Sequence, residues 1–398
     1  MRIALLTQGF QTAGGVQAVA RWLRDGLATR GHVVQVFDVA SASSSSLSRR
    51  LVSPRTWITG PVLESGTEDN LTMAGAALAE LEPLRYLPVK QLTARLSEYD
   101  LVQVVCGGPA LARVASRSGR PTVIQVATFM KWERESIHKA LPIGQRSVKT
   151  ALTHWVTRLE VRALRESSAV MVENEQMLQG VREAAPGTPV VVAPPGVDTT
   201  RFSPSGEWSP TGPIVALGRL GEHRKGWDRV LKAYAHLLSE WPEGPPLVVA
   251  GRGDLTPANR DLISFLGLEG RVDVRHDLPH DDLVGLLRGG SMFWQTSHEE
   301  GLGIAALEAM ACGLPVIATD TAGTRMTIRH GQTGYLVSQD DAKLPGEFLV
   351  HSREILQQTG PTIARLARED VVARFDAEKT LDSFEEIYRS VVSSGSEL

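Results

Sequence analysis

The sequence predicts an α/β protein built from two doubly wound domains that face each other across a cleft. Short apolar runs alternate with stretches at helical spacing along most of its 398 residues. A segment rich in proline, glycine and serine, at residues 194–213, interrupts the alternation, which then starts again. Two such series favour two parallel sheets, each covered by helices on both faces.

The first half of the chain repeats the order strand, loop and helix. Residues 2–7 are an apolar run of strand length, and the helix after the following glycine-bearing loop ends before Gly31. Apolar residues lie at helical spacing in that helix, at Val16, Val19, Leu23 and Leu27. Further buried strands are predicted at residues 33–38, 101–105, 122–127 and 169–172. Residues 1–195 are therefore expected to form one domain.

The second half restarts the same order. A helix is predicted over residues 227–241. Strands are predicted at residues 214–217, 247–250, 292–296 and 315–319. We expect residues 196–212 to be a linker and residues 213–375 to form a second domain. Because ligands of doubly wound sheets bind outside the carboxyl ends of the strands, two facing sheets place a binding cleft between the domains.

The composition argues against several classes of protein. A net charge of −3 gives no overall attraction to nucleic acid or to an anionic membrane. No apolar run approaches the roughly 20 residues that span a bilayer, and the first residues lack the pattern of a signal peptide. The two cysteines, Cys106 and Cys312, have no metal-like spacing. We expect a reduced, cytoplasmic protein without disulfides or a structural metal.

Two glycine loops lie at predicted carboxyl ends of strands. Gly14 and Gly15 precede the first helix, and Gly301 and Gly303 open a later helix. A helix start with flanking glycines presents free backbone N–H groups to an anion. Taken alone, the loop at Gly301 and Gly303 is as typical of an ordinary turn as of an anion site, and Gly14-Gly15 is more typical of a turn.

A basic loop, GRLGEHRKG at residues 218–226, follows another predicted strand. The guanidinium of Arg219 and the ammonium of Lys225 suit a diphosphate. A solvated surface turn is the ordinary alternative for such a charge cluster. Because this loop and both glycine loops lie at the carboxyl ends of strands, together they indicate a phosphate-bearing ligand.

Glu300 and Glu308 lie eight residues apart, on either side of two glycines. Phosphate would be repelled by both carboxylates, so we expect their partners to be neutral hydroxyl groups. Vicinal sugar hydroxyls can both donate to one carboxylate. A ligand that combines a sugar, a diphosphate and a ribose meets both requirements, and a nucleotide-sugar is therefore the predicted ligand.

A second interpretation belongs to another class of enzyme. Residues 301–306 also fit the GxGxxA fingerprint of dinucleotide binding, and Asp320 stands near the distance along the chain at which an acidic residue binds a ribose. This interpretation predicts an NAD(P)-dependent oxidoreductase. It leaves Glu300, Arg219 and Lys225 unexplained, and the fingerprint normally occupies the first βαβ unit of a domain.

Several motifs in order along the chain resemble glycosyltransferase family 4, the retaining enzymes with the GT-B fold of two Rossmann-like domains facing across a cleft. The most recognisable is EGLGIAALEAMACGLPV at residues 300–316, which is similar to the E-x7-E signature of that family. The other matching segments are residues 14–16, 194–202, 218–226 and 322–337. The resemblance covers nearly the whole chain.

The resemblance implies a role for each matching residue. Arg219 and Lys225 would neutralise the diphosphate as it leaves, and Glu300 would contact hydroxyls of the donor sugar near the reacting carbon. These three are the catalytic candidates. Glu308 would bind the ribose hydroxyls. The other donor-binding candidates contribute backbone groups, at Gly15, Gly218, Gly301, Leu302 and Gly303.

The resemblance also implies the chemistry. The leaving phosphate takes the proton of the acceptor on the same face of the sugar, so no nucleophilic carboxylate, metal or other cofactor is required. The partners would be a nucleotide-diphosphate sugar and a small-molecule, natural-product or glycan acceptor, with a hexose-type sugar transferred. A helix at about residues 376–393 is expected to return to the first domain, as in similar proteins.

This sequence departs from the family at two positions. Many relatives have a histidine where Ala127 stands here, and another near Val105. The acceptor site must then be built differently. Polar candidates for it are Gln8, Gln103, Gln125, Thr128 and Lys131. The missing histidines also motivate a third hypothesis, a nucleotide-sugar-binding protein with little turnover.

One basic stretch raises the question of a membrane surface. Residues 131–165 are basic and contain Trp132 and Trp155, and relatives that glycosylate lipids use such surfaces to lie on membranes. Acidic residues are interspersed, which favours an ordinary helical hairpin with a solvated face. Membrane association is therefore not the favoured interpretation, and the sequence does not indicate an oligomeric state.

Overall fold

The computed structural model describes residues 1–12, 14–42, 44–132, 134 and 143–395. The chain divides into two compact units. The first contains Met1–Pro195 and the segment that begins at Leu381, and the second is Gly196–Thr380.

An eight-stranded sheet forms the centre of the first unit. Its strands are β1 (Arg2–Thr7), β2 (Val33–Val39), β3 (Leu63–Ser65), β4 (Leu71–Ala74), β5 (Leu101–Cys106), β6 (Thr122–Val126), β7 (Ala169–Val172) and β8 (Val190–Val192). The spatial order is β3-β4-β2-β1-β5-β6-β7-β8, and only β3 runs antiparallel to its neighbour. The strands predicted in this half are confirmed to within one residue. The sequence analysis does not predict β3, β4 and β8, which are three or four residues long.

Helices pack against this sheet. In the helix Gly15–Thr29, Val19, Leu23 and Leu27 are buried, as their spacing predicts. Arg55–Thr59, Glu82–Arg85, Lys90–Leu96, Ile143–Glu166 and Glu175–Ala184 are the other α-helices described between β2 and β8, and Pro109–Ala115 is a 3₁₀-helix.

The helix Ala377–Gly395 contributes to the core of the first unit. Its Leu381, Phe384 and Tyr388 are buried. The ring of Phe384 meets Trp22 edge to face, with centroids 5.4 Å apart. The helix therefore packs against Gly15–Thr29, and from Leu381 onward it belongs to the first unit.

Replacing Phe384 with alanine should lower the free energy of unfolding by about 3–5 kcal/mol, because the ring is fully buried and its removal leaves a cavity. Denaturant unfolding of the whole chain measures this loss. Glu386→Ala is the control, since Glu386 lies exposed on the same helix and should change stability by about 0.5 kcal/mol or less. Equal stability of the two variants would contradict the assigned packing.

The second unit is centred on a six-stranded parallel sheet. Its strands are β9 (Ile214–Leu217), β10 (Leu247–Gly251), β11 (Val272–His276), β12 (Met292–Gln295), β13 (Val316–Thr319) and β14 (Tyr335–Val337). The spatial order is β11-β10-β9-β12-β13-β14. The strand order therefore reverses between β9 and β12, and ligands of such sheets bind in the crevice at the carboxyl ends of the strands at that reversal.

Helices flank this second sheet. The α-helices described here are Trp227–Glu240, Pro257–Phe265, His280–Gly289, Ile304–Ala311, Ala322–Thr327, Leu344–Glu354 and Gly360–Arg374. The predicted strands and the predicted helix at 227–241 are confirmed to within one residue.

Residues 196–212, expected to be a linker, pack into the second unit. Val197 and Phe202 are buried in its core. Trp208 donates through Nε1 to the backbone oxygen of Ser291 at 2.8 Å. The proline and glycine content marks turns in this segment, and the apolar residues between the turns anchor it.

Two further features bear on the class of protein. Among the described residues, no helix is both long and apolar enough to cross a bilayer. Cys106 and Cys312 are buried free thiols. Burial raises the pKa of Cys312 to about 12, so the thiol is protonated at neutral pH.

Candidate active site

Two loops meet where the strand order of the second unit reverses. The loop at 218–226 follows β9, and the loop at 296–303 follows β12. The backbone N–H of His298 donates to the oxygen of Arg224 at 2.8 Å, and the Thr296 hydroxyl donates to the oxygen of Gly226 at 2.8 Å. The two loops thus form one connected edge of the crevice.

Glycine is required at two points of this edge. Gly226 has φ +67°, and a Cβ there would lie 2.3 Å from the backbone oxygen of Thr296. Gly303, with φ +88°, is the residue before the helix Ile304–Ala311. These conformations let the loops approach each other and turn sharply into their helices.

Lys225 and Glu300 form a partly buried ion pair between the loops. Lys225 Nζ lies 2.8 Å from Glu300 Oε2, and the side chains are 17% and 11% exposed. The same oxygen accepts from Gln295 Nε2 at 3.0 Å and from the Ser297 hydroxyl at 3.1 Å. Among the described residues, none donates to Glu300 Oε1, so that oxygen retains its capacity to accept.

Glu308 lies on the helix that Gly303 opens. It is partly exposed, and its carboxylate has no hydrogen-bond partner among the described residues. Burial of the carboxyl raises its pKa to about 7. A carboxyl group in this state is suited to accept from hydroxyls of a ligand that shields it further from water.

Glu308→Gln should stabilise the second unit at pH 8. The pKa of Glu308 is about 7 in the folded chain against the usual 4.5, so the folded state holds a proton that the unfolded state has lost between these values. Stability therefore falls as the pH rises through this window, and above pH ~7 the folded chain carries the full cost of the buried charge. Glutamine removes that cost. Thermal unfolding should show a higher midpoint for the variant at pH 8 and similar midpoints at pH ~5.

The matched control is Glu243→Gln, which removes an exposed carboxylate of the same unit. It should leave the midpoint at pH 8 almost unchanged. A Glu308→Gln midpoint that does not rise at pH 8, or that rises equally at both pH values, would show that the carboxylate is not desolvated.

Arg219 lies at the start of the basic loop and does not contact the Lys225–Glu300 pair. Its side chain is 50% exposed and lies against Glu222, with Nη2 at 3.0 Å from Oε1 and Nε at 2.9 Å from Oε2. Glu222 Oε1 also accepts from Arg224 Nε at 2.6 Å. The structure therefore adds a carboxylate to a site that the sequence analysis describes by its cations alone.

The predicted backbone contributors differ in accessibility. Gly301 is partly exposed, whereas Leu302 and Gly303 are buried, with the Leu302 side chain in the core. Gly218 lies beside the Lys225 stem, since a Cβ there would be 3.3 Å from Lys225 Cγ. Leu302 thus anchors the loop as well as offering its backbone.

Helix Ala322–Thr327 supports the second loop from behind. The backbone N–H of Gly323 donates to the oxygen of Glu300 at 3.0 Å. A Cβ at Gly323 would lie 2.6 Å from that oxygen and 2.7 Å from the backbone of Gly301 and Leu302. The loop that carries Glu300 therefore rests directly on this glycine.

Sequence reasoning missed Gln295, Ser297 and Glu222. Gln295 ends a buried apolar strand, and a polar residue at that position is the signal that it faces a site. Glu222 stands three residues after Arg219, and that spacing is the available signal for their pairing.

The remaining candidates lie in the first unit. Gly15 begins the helix Gly15–Thr29 and is exposed. Gln8 directly follows β1 and is partly exposed, and its backbone oxygen accepts from Gln17 Nε2 at 3.0 Å. After β6, Thr128 is partly exposed and Lys131 is exposed. All four are accessible to a ligand of this unit.

Gln103 and Gln125, in contrast, are buried inside the sheet on β5 and β6, 0% and 1% exposed. Gln103 Nε2 donates to the backbone oxygen of Val104 at 3.1 Å, while both amide atoms of Gln125 have no partner among the described residues. Neither side chain lines an open surface. Ala127 is partly exposed and Val105 is buried, so only the first of these two positions is accessible.

Two further observations concern clusters of metal-ligand residue types and the basic stretch. In the described ranges, no group of three or more His, Cys, Asp or Glu residues is arranged to hold a metal ion. The basic stretch at 131–165 lies partly outside the described residues. In its described part, Arg134 pairs with Glu82 at 2.6 Å and Trp155 is 44% exposed.

Two models of known protein families match consecutive parts of the chain. The model described as "Glycosyltransferase Family 4" matches residues 13–201. The model described as "Glycosyl transferases group 1" matches residues 203–345 and so includes both loops of the candidate site.

Curated relatives are glycosyltransferases. The D-inositol 3-phosphate glycosyltransferase of Arthrobacter sp. (strain FB24) is 28% identical over 350 residues, which cover 83% of this chain and 79% of that protein. The enzyme of the same name from Rhodococcus jostii (strain RHA1) is 32% identical over 215 residues, 50% of this chain and 46% of that protein, so this match spans about half of each. GDP-mannose:cellobiosyl-diphosphopolyprenol alpha-mannosyltransferase from Komagataeibacter xylinus is 25% identical over 62% of each chain.

Solved structures match over almost the whole chain. Sucrose-phosphate synthase from Thermosynechococcus elongatus superposes with a TM-score of 0.71 at 21% identity, covering 99% of this chain and all of that one. The Anabaena protein HepE, solved with UDP and glucose, gives a TM-score of 0.71 at 18% identity, covering 98% of this chain and all of that one. These matches show the GT-B fold of glycosyltransferases.

The chain belongs to glycosyltransferase family 4, in group 1 of the glycosyl transferases. The predicted fold class and the predicted family are thereby confirmed. The comparisons support this interpretation and not the alternative of an NAD(P)-dependent oxidoreductase, because residues 301–306 follow β12 and belong to the matched glycosyltransferase region.

Proposed function

We propose that this chain is a retaining glycosyltransferase that moves a hexose-type sugar from a nucleotide-diphosphate sugar to a small-molecule, natural-product or glycan acceptor. The observation that carries the proposal is the Lys225–Glu300 ion pair at the strand reversal of the second unit, with the carboxylate of Glu308 on the helix that begins directly after the same loop. A cation, a fixed carboxylate and an unpartnered carboxylate there match a diphosphate, a sugar and a ribose.

The diphosphate is assigned to the basic loop. Lys225 supplies a charge that is largely shielded from water, where electrostatic stabilisation of a leaving group is strongest. Arg219 supplies a second cation once it is released from Glu222. Backbone N–H groups around Gly301 and Gly303 add to this anion-binding capacity.

The sugar hydroxyls are assigned to Glu300 and the ribose hydroxyls to Glu308. Three donors hold Glu300 Oε2, which makes it a weak nucleophile and leaves Oε1 to accept from the donor sugar. Transfer then passes through an oxocarbenium-like state, and the leaving phosphate takes the acceptor proton on the same face. This assignment requires no metal, and activity should persist in EDTA.

The acceptor is assigned to the first unit, with Gln8, Thr128 and Lys131 as its accessible polar groups. Because the Arthrobacter and Rhodococcus relatives are named for D-inositol 3-phosphate, phosphorylated polyols are the first acceptors to test. The cation of Lys131 suits such a phosphate. The base of the donor stays open, since the relatives and neighbours named above include both GDP-mannose and UDP.

A donor panel tests the proposal. Purified protein is titrated with UDP, GDP and ADP, and the sugars of the base that binds are offered with a panel of acceptors. Anomeric configuration of the product by NMR reports retention. Absence of binding by every nucleotide would contradict the proposal, and inversion of the anomeric centre would contradict its retaining mechanism.

Two variants, Arg219→Ala and Lys225→Ala, distinguish a transferase from the alternative hypothesis of a nucleotide-sugar-binding protein with little turnover. Transfer and donor hydrolysis that equal the buffer background in wild type and variants alike, with donor still bound by wild type, would support it.

We also propose a cytoplasmic location, which fractionation of the native host tests.

A further inference from the structure

The basic loop carries its own competitor for the diphosphate. Glu222 contacts both arginines of the loop, Arg219 on one side and Arg224 on the other. Lys225 pairs with Glu300 in the adjacent loop. Each cation of the loop therefore already has a carboxylate partner in the described structure.

The backbone fixes Glu222 in this position. Its N–H donates to the oxygen of Arg219 at 3.2 Å, and its oxygen accepts from the N–H of Lys225 at 3.1 Å. Trp227 Nε1 donates to the oxygen of Arg219 at 3.0 Å. Glu222 thus remains beside the arginines whichever way the Arg219 side chain turns.

The two contacts of Glu222 differ in how easily they are broken. Arg219 Nε lies 2.9 Å from the buried Oε2 without forming a hydrogen bond, and Arg219 Nη2 donates to Oε1 at 3.0 Å. Arg224 Nε donates to the same Oε1 at the shorter distance of 2.6 Å. The Arg219 side chain is half exposed, so it can rotate away from Glu222 without giving up buried contacts. Since Arg224 still offsets the charge of Glu222, release of Arg219 does not leave an unpaired buried carboxylate.

We propose that Glu222 competes with the diphosphate for Arg219, which weakens binding of the nucleoside diphosphate and speeds its release after transfer. This inference rests on the proposed function. A bound diphosphate must take Arg219 from Glu222 or share it, and in either case the carboxylate repels the phosphate oxygens. Arg219 therefore engages most strongly when the bond to the sugar breaks and negative charge on the diphosphate increases.

The test is Glu222→Gln, which keeps the shape and removes the charge. Calorimetric titration with UDP, GDP and ADP should show binding roughly 3- to 30-fold tighter than wild type for the base that binds. In steady-state assays, the product-inhibition constant, the donor KM and kcat should all fall, because release slows. Glu222→Ala should change affinity in the same direction, and Glu369→Gln, which breaks an exposed pair with Arg365, is the charge-matched control.

A double variant locates the effect. In the Arg219→Gln background, adding Glu222→Gln should change nucleotide affinity by less than about two-fold, because the residue through which it acts is gone. Weaker or unchanged binding by both Glu222 variants would overturn the inference and assign Glu222 an orienting role. A gain that persists without Arg219 would overturn it as well. If wild type binds none of the three nucleotides, the proposed function itself fails. If wild type binds a nucleotide but the Glu222 variants show no gain in affinity, only this inference fails.

Discussion

Lys225→Ala is expected to lower kcat/KM for sugar transfer by roughly 10²- to 10³-fold. Lys225 is the cation at the crevice that is both shielded from water and joined to Glu300, at 2.8 Å. Its removal takes away a positive charge that stabilises the leaving diphosphate. It also removes the N–H group that donates to Glu300 Oε2 and orients that carboxylate. Steady-state kinetics with the donor identified in the panel measure the loss.

Lys232→Ala is the matched control. Lys232 lies exposed on the helix that follows the basic loop and pairs with Asp228 at 2.9 Å. Its loss removes the same charge from the same unit but not from the crevice, so kcat/KM should stay within about two-fold of wild type. Equal losses in both variants would show that net charge matters and that Lys225 has no special place.

The second large effect is expected from adding one methyl group behind the site. Gly323→Ala should reduce donor affinity by about 10²-fold, because its Cβ would fall 2.6–2.7 Å from the backbone at Glu300, Gly301 and Leu302. Backbone cannot move aside as a flexible side chain can. The loop that carries Glu300 must therefore shift, and isothermal titration with the donor measures the consequence.

Gly346→Ala provides the comparison. Gly346 lies in the helix Leu344–Glu354, with no atom within 4 Å of an added Cβ. Alanine favours a helix over glycine by about 1 kcal/mol, so this variant should be slightly more stable and should bind donor normally. Gly323 is also in a helix, so both variants gain the same helix propensity and differ in the space available to the added Cβ. Normal donor binding by Gly323→Ala would show that the loop does not rest on Gly323.

The fold could be predicted because its central strands are buried on both faces. Continuous apolar runs such as residues 2–7 and 214–217 leave few other interpretations. β3 could not be predicted in this way, since it is three residues long and largely exposed at the edge of its sheet. Short edge strands derive their conformation from a neighbour, and the neighbour is not visible in local sequence.

The candidate site was predictable to the level of strand ends, and less so for individual side chains. Lys225 and Glu300 are 75 residues apart, yet both follow strands that meet at the reversal, and the structure brings them into contact. The pairing of Arg219 with Glu222 could not be predicted, because the flexible guanidinium can pair with any of several nearby carboxylates. Gln103 and Gln125 show the opposite error, because a polar residue within an apolar strand does not reveal that its side chain is buried.

The chain order of the two units has a consequence for biosynthesis. Residues 196–380 form one continuous stretch, so the second unit can fold as soon as it leaves the ribosome. The first unit is translated earlier but has to wait for Leu381, Phe384 and Tyr388 to cover its core. During that interval the amino-terminal half of the nascent chain exposes apolar surface. We expect chaperones to bind this half of the chain until the last helix has been translated.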